Sequence, residues 1–481
     1  MHVINILPIA NTIAAVLIIL QILLEDRHSQ SALAWIMFLI LVPFAGPVAY
    51  LLFGVNWRKK KLIRQLPEAL FKKELEPVLE EQEKFLDSEN RKDEKHSDMY
   101  KAIQLLMRSS SAIITANNEI DLFFEGEPFF EALMNDIRAA RESIHMEFFI
   151  WRSDPLGREF LDIMAEKVKE GVKVRLIFDG LGSLFTVSRK YRRALKKAGI
   201  EYKFFLDPTI PLAKLNLNYR NHRKIVVIDG KTAYTGGMNL GTEYITGGPH
   251  FARWRDTQVR LTGQCVKLMQ TVFLTDWFNS GNELIRDHLL FPSDWRKRSG
   301  VPVQFCVSGP DSDWGSIEMG YFHMIANANH EICIQSPYFI PGEPIQQALE
   351  IAALSGVSVH LMITGNPDKK TPFFAAFTYF RRLLEAGVKI YLYEAGFMHA
   401  KTLIVDSYLM SIGSCNFDLR SFRLDYEANV FLYDRKAAGK MRKQFDLDLE
   451  KCREFTLAEL KAFSFPRRLL NSVCRLFSPL M

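Results

Sequence analysis

NHRKIVVIDGKTAYTGGMN (residues 221–239) sets a histidine and a lysine two residues apart, ahead of an apolar run, with an aspartate seven residues after the histidine. MHAKTLIVDSYLMSIGSCN (residues 398–416) repeats those residue types, identical at five offsets over eighteen residues. On a strand, His222 and Lys224 project from one face, about 7 Å apart along the chain. The IVVI run supplies buried strand, and AspGly at 229–230 signals a turn into TAYTGG. That return brings Gly236, Gly237 and Asn239 back toward the His/Lys end, where glycine permits close approach. Asp229 has the opposite parity to the histidine and reads as fixing the hairpin. The second copy places His399, Lys401, Asp406, Gly413, Ser414 and Asn416 in the matching positions.

The duplication extends outward from these motifs. IHMEFFIW (144–151), a helix-like stretch to Gly171 and VKVRLIFDG are matched by ICIQSPYFIP (332–341), a stretch to Gly356 and VSVHLMITG. RRALKKAGIEYKFF (192–205) and RRLLEAGVKIYLYE (381–394) follow, each a basic helix end, a glycine cap and a strand. Strand–helix–strand order written twice predicts an α/β fold of two similar units, each a parallel sheet packed by helices. The units span residues 110–285 and 286–481, with residues 280–316 joining the halves. Neither copy has a Gly-rich nucleotide loop after its first strand, which disfavours a dinucleotide site.

Ahead of the repeats, residues 3–24 and 29–57 carry no charge. Each is long enough to cross a bilayer core, which takes about 20 helical residues. The first lacks the basic flank of a cleaved signal peptide, so residues 1–57 are expected to form a two-span membrane hairpin. Pro43, Gly46 and Pro47 interrupt the second span, as membrane helices tolerate. Glu25, Asp26 and Arg27 lie between the spans, whereas Arg58, Lys59, Lys60, Lys61 and Arg64 follow them. The excess of basic residues puts the bulk of the chain in the cytoplasm. It also sets them beside anionic headgroups, each worth about 1 kcal/mol. Residues 58–109 read as a charged, solvated linker helix. At the other end, FPRRLLNSVCRLFSPLM (465–481) mixes three arginines with bulky apolar residues, which suits a membrane interface or a helix docked on the core.

Composition narrows the classes. With 48% hydrophobic residues among 481, the chain can build two cores. A net charge of +6, from 61 basic against 55 acidic residues, is too mild to mark a nucleic-acid binder. Six scattered cysteines without a CxxC pair argue against a zinc module and against a disulfide framework.

One HxK is common by chance, but two copies in equivalent places are not. A lysine beside the histidine repels a dication, and no Cys or carboxylate in the motif completes a ligand set, so no metal and no other cofactor is expected. Two His, two Lys and two Asn meeting at a pseudo-twofold interface describe an anion site. Lysine supplies charge, while Asn239 and Asn416, with Ser414, donate hydrogen bonds to a phosphate. One imidazole can then attack phosphorus while its partner protonates the departing alkoxide and later deprotonates the next alcohol. Asp256 in RWRDTQVRL and Glu427 in DYEANVFLY stand just downstream of each motif and can orient the histidines.

HxK(x)4D with a glycine-rich tail and Asn, present twice, resembles the phospholipase D superfamily over residues 110–481. LAWIMFLILVPFAGPVAYLLFG (33–54), NYRNHRKIVVIDG and NFDLRSFRLDYEAN (416–429) are similar to the bacterial cardiolipin synthase family in particular. The resemblance implies transfer of a phosphatidyl group between two phosphatidylglycerol molecules, giving cardiolipin and glycerol. It places the catalytic set on His222, Lys224 and Asp229 with His399, Lys401 and Asp406, and makes His222 the nucleophile. DYE at 425–427 replaces the family's Asn-Phe-Glu, keeping Glu427. The rival readings are a phospholipid hydrolase, a nuclease of the same superfamily and a non-catalytic anionic-lipid scaffold. The implied partners are membrane phospholipids and no nucleic acid; a homo-oligomer is compatible with the sequence.

Overall fold

In the computed structural model the described residues are 2–25, 29–54, 71–91, 98–207, 218–292 and 300–481. The first sheet runs, in spatial order, Asn118–Phe123, Gln258–Gly263, Thr232–Gly236, Ile225–Ile228, Ser143–Phe148, Lys173–Asp179 and Glu201–Phe205. Its last three strands are parallel, joined through the helices Pro155–Lys169 and Arg189–Lys197. Its other neighbours are antiparallel. The expected parallel sheet is therefore half of a mixed one, because the motif forms a hairpin and a hairpin must pair antiparallel. Ser143–Phe148 is buried along its whole length, as its apolar run requires with layers on both faces.

The second sheet repeats that order: Val303–Ser308, Asp425–Tyr433, Leu409–Gly413, Thr402–Val405, Glu331–Gln335, Ser358–Thr364 and Lys389–Tyr393. Cys452–Phe455 is added at one edge and Ile114–Thr115 at the other. The matching orders are those of a duplicated α/β unit. Glycines close the two basic helices where the sequence puts caps, Gly199 at φ 78° and Gly387 at φ 100°. Apolar residues of both units, among them Ile225, Val227 and Val259 of the first and Ile404, Ile412 and Val430 of the second, share one core. All six cysteines are free, and five are buried.

The sequence's boundaries shift in two places. Val303–Ser308, inside the expected connector, is a strand of the second sheet, and Ile114–Thr115, inside the expected first unit, pairs with it. The charged stretch before the repeats is also not a solvated spacer. Its helix Lys72–Arg91 follows buried Phe71 and itself buries Leu75 and Val78, and the Gln82 side chain accepts from Ile114 N at 3.0 Å. The next helix, Asp98–Ser110, places Ala102, Ile103 and Leu106 in the core of the second unit. Apolar positions three and four apart gave each helix a face to bury, and that outweighs its charged remainder.

The first apolar helix, His2–Leu24, contains an apolar window, Leu7–Leu24, long enough to cross a membrane. The second stretch is not one span-length helix. Ser29–Leu41 ends before Pro43, Phe44 adopts φ 66°, and a short helix Ala45–Ala49 runs into a π-turn Tyr50–Gly54. Thirteen residues cover about 20 Å, short of a hydrocarbon core of about 30 Å. The break leaves backbone groups unpaired, and Asn11 of the first helix accepts from Phe44 N at 3.0 Å. Asp26, Arg27 and the basic cluster from Arg58 to Arg64 lie outside the described residues.

Candidate active site

Both histidine segments leave their own sheets before they enter them. Arg220–Asn221 pairs in parallel with the start of Asp425–Tyr433, and His222 N donates to Tyr426 O at 2.9 Å. In the other half, Phe397–Met398 pairs in parallel with Trp254–Arg255, and His399 N donates to Arg255 O at 2.7 Å. The sequence puts residues 222–224 and 399–401 on a strand; they lie instead between two strands, because each segment first pairs with the other unit. Each lysine ammonium bends back to its own motif, Lys224 Nζ to His222 O and Lys401 Nζ to His399 O.

This crossing decides which acid meets which imidazole. His222 Nδ1 lies 3.0 and 3.1 Å from the two carboxylate oxygens of Glu427, which belongs to the second unit. His399 Nδ1 lies 2.6 Å from Asp256 Oδ2, from the first unit. The sequence assigns both acids to orientation but not the exchange between units. A carboxylate accepting Nδ1–H fixes the tautomer and leaves the Nε2 lone pair for chemistry. Both carboxylates are fully buried.

The remaining predicted residues divide. Ser414 does not face a phosphate: its hydroxyl donates to Glu427 Oε2 and accepts from Ala428 N at 2.9 Å, so it steadies the orienting acid. Gly237, its counterpart, makes room instead, because a Cβ there would lie 2.1 Å from Asp256 Oδ1. The Asn239 amide is committed too, accepting from Ile150 N at 3.1 Å and donating to the Tyr244 hydroxyl at 2.9 Å. Asn416 is buried, and its Oδ1 has no hydrogen-bond partner among the described residues. The contacts to Ile150 and Tyr244 commit the Asn239 amide within the first unit.

Asp229 and Asp406 also stand apart from the reacting groups. Asp229 accepts from Arg141, Glu142 and Ser143 N at 2.8–2.9 Å, and Asp406 from Asn329, His330 and Glu331 N at 2.7–2.9 Å. Each sits at the far end of its hairpin strand, roughly 20 Å from the histidine, at φ 52°. They anchor the neighbouring strand, as the parity of Asp229 indicates, and do not join the catalytic set named for the motif.

Charge ties the halves into one site. Burial, with Lys224 and then Lys401 beside it, holds the His222 imidazole well below its usual range. Burial and Lys401 bring His399 down to about 4. Burial lowers Lys224 to about 7 and Lys401 to about 8, and raises Glu427 to about 7. An arriving phosphodiester stabilises the charged ammonium groups, so both lysine values rise on binding. The sign is proton uptake above about pH 7. Calorimetric titration with a short-chain phosphonate analogue of phosphatidylglycerol, in two buffers of different ionisation enthalpy at pH 8.5 (about one unit above those values), should show it.

Several neighbours escaped the sequence. Lys369 and Arg420 add positive charge at His222, and Asp368 accepts from the Tyr338 hydroxyl at 2.7 Å. Phe149 lies 5.0 Å from the His222 ring, while Tyr244, Trp254 and Phe397 surround His399 at 5.6–5.9 Å. His222, Asp425 and Glu427 bring ligand atoms within 4.8 Å of one another, the spacing of a metal site. The carboxylates that the motif itself lacks, and that the sequence does not expect, are thus supplied by the other unit. His222 Nδ1 is engaged by Glu427 and Asp425 Oδ2 by Arg420 at 3.3 Å, while Asp425 Oδ1 has no hydrogen-bond partner among the described residues; the positive charge of Lys224 and Arg420 beside the set opposes a dication there.

The family described as cardiolipin synthase, PLD-like domain, matches residues 133–260 and again 321–449. The chain belongs to the cardiolipin synthase family. A phospholipase D-nuclease N-terminal family matches residues 9–54. The major cardiolipin synthase of Bacillus subtilis (strain 168) is 39% identical over 485 residues, covering 98% of each chain. Cardiolipin synthase 2 of Bacillus anthracis is 40% identical over 477 residues, 98% of this chain and 90% of that one. Phosphatidylserine synthase of Haemophilus influenzae Rd KW20 shares the fold, with a TM-score of 0.62 at 14% identity, over 79% of this chain and 100% of its own.

Proposed function

We propose that this cardiolipin synthase exchanges one phosphodiester for another through a covalent phosphatidyl-histidine on His222. His222 Nε2 attacks the phosphorus of one phosphatidylglycerol, the P–O bond to the headgroup glycerol breaks, and His399 protonates the departing oxygen. His399, now neutral, takes the proton from a hydroxyl of a second phosphatidylglycerol. That oxygen attacks phosphorus, the P–N bond breaks, and cardiolipin leaves with His222 restored. Lys224 and Lys401 hold the phosphoryl oxygens, and the substrate's own negative charge raises the proton affinity of His399 for its acid step. The crossed pairing of His222 with Glu427 and His399 with Asp256 carries this reading, since it leaves two equivalent Nε2 atoms for opposite roles on one phosphorus.

The test is product analysis with the purified full chain in phosphatidylglycerol vesicles, without nucleotide. Glycerol and cardiolipin in equal amounts are expected. Phosphatidic acid without cardiolipin identifies a hydrolase, no lipid product a scaffold, and cleavage of added DNA a nuclease.

Membrane association brings the site to its lipid substrates, and we infer that the bulk of the chain is cytoplasmic. The C-terminal helix Phe465–Arg475 supports a second contact with the bilayer. It buries Asn471 and Cys474 against the protein and turns Phe465, Leu469, Val473, Leu476 and Phe477 outward, all more than 40% exposed. Its end reaches the site, because Met481 O accepts from Arg420 N. Photolabelling by a carbene-bearing phospholipid should mark those outward residues. Protection of the catalytic units from protease in inverted vesicles would reverse the orientation.

A further inference from the structure

Each half of the site contains one buried guanidinium bridging two acceptors, and the two come from different positions in the repeat. Beside His222, Arg223 donates from Nη1 to Asp276 at 2.6 Å and from Nε to the backbone carbonyl of Glu427 at 3.4 Å. Beside His399, Arg255 donates from Nε to Asp448 at 2.8 Å and from Nη1 to the backbone carbonyl of Asp256. Asp276 lies on the helix that follows strand Gln258–Gly263 and Asp448 on the helix that follows strand Asp425–Tyr433, and both are fully buried.

Strand register fixes which residues correspond. Gly236 opposes Gln258 as Gly413 opposes Asn429, so Asp256 matches Glu427 and Arg255 matches Tyr426. The motif makes Ala400 the counterpart of Arg223. One half thus holds Arg223 with Tyr426, and the other holds Ala400 with Arg255. Arg223 lies over the Tyr426 ring at 5.4 Å, so the two positions border one volume, filled in each half by a single guanidinium.

The floor beneath is equivalent as well. The Asp229 and Asp406 anchors align Ser143 with Glu331, which makes Glu147 the counterpart of Gln335. Burial and the neighbouring Asp276 hold the Glu147 carboxyl well above its usual range, and a glutamine stands in its place in the other half. Gln335 Nε2 donates to Asp448 at 2.8 Å. Each half therefore combines a buried aspartate, a guanidinium and a buried Glu147 or Gln335.

We propose that Arg223 and Arg255 are equivalent positioning residues, each tying the carbonyl of a histidine-orienting acid to a buried aspartate, with the guanidinium free to come from either of two adjacent positions. Both acids reach their histidines on strands from the other unit, so the carboxylate's aim depends on where that backbone is held. The inference rests on the transphosphatidylation reading, and wild-type turnover in the same assay keeps the two separable.

Steady-state cardiolipin formation by the full chain tests it. Arg223→Ala should lower kcat about 10–100-fold with KM unchanged, as loss of an outer partner of a reacting histidine does. Arg223→Ala with Tyr426→Arg recreates the arrangement of the other half and should recover to within about 3-fold of wild type, a coupling only a shared role gives. The converse pair, Arg255→Tyr with Ala400→Arg, should recover likewise relative to Arg255→Tyr alone. Double variants that keep the wild-type thermal midpoint yet are no more active than the single ones overturn the proposal. Should a double variant fail to fold, Arg223→Lys decides: it keeps the charge without the planar fork, so reduced kcat is expected and wild-type kcat overturns the bridging role.

Discussion

His222→Ala and His399→Ala should each lower cardiolipin formation by on the order of 10⁴-fold, and the double variant should be scarcely worse than either. In the proposed mechanism both imidazoles act on one phosphorus in every cycle, so removing either stops the cycle. The effect is chemical: each ring is held by one carboxylate and by aromatic neighbours that remain in place. Thermal midpoints close to wild type should accompany the loss. A purely lipid-binding protein would keep its vesicle affinity in both variants and show no product in any. Retained turnover in either variant would contradict the two-imidazole mechanism.

The second large effect is expected at the crossed acids. Glu427→Gln and Asp256→Asn should reduce kcat by about 10²–10⁴-fold while leaving KM near its wild-type value. An amide keeps the volume, but its NH₂ can donate to Nδ1 and favour the tautomer whose Nε2 carries the proton. For His222 that removes the attacking lone pair. Ser414 already commits its hydroxyl to Glu427, so Ser414→Ala should weaken the same step by a smaller factor, about 10-fold. Steady-state kinetics over a range of phosphatidylglycerol surface concentrations separates kcat from KM. A rise in KM alone would assign the acids to substrate binding.

Much of this arrangement is legible in the sequence because period and parity are local. The shared offsets of the two motifs singled out the His/Lys pairs, AspGly marked the turn, and the opposite parity of Asp229 identified it as an anchor, whereas alternation put the pairs on a strand that begins only at Ile225 and Thr402. The second copy keeps that turn with Asp406 and Ser407 both at positive φ. The repeated order of strands and helices gave two α/β units. What stayed hidden depends on where separate segments meet. Nothing in a linear pattern shows that Arg220–Asn221 pairs with Asp425–Tyr426, so neither the exchange of Glu427 and Asp256 nor the role of Arg223 could be read. Asn239 and Ser414 have the right chemistry for phosphate, yet closer backbone and side-chain partners claim them. The helix Lys72–Arg91 looked solvated because charge dominates its composition, whereas buried Leu75 and Val78, with Phe71 just ahead of them, decide its packing.

The central claim is that two displacements occur at one phosphorus, each with the incoming and leaving groups in line. Stereochemistry at phosphorus tests it most directly. Phosphatidylglycerol made chiral at phosphorus with oxygen isotopes should give cardiolipin with retained configuration, since each of two displacements inverts. Net inversion would mean that the second lipid attacks the first without a phosphatidyl-histidine between them.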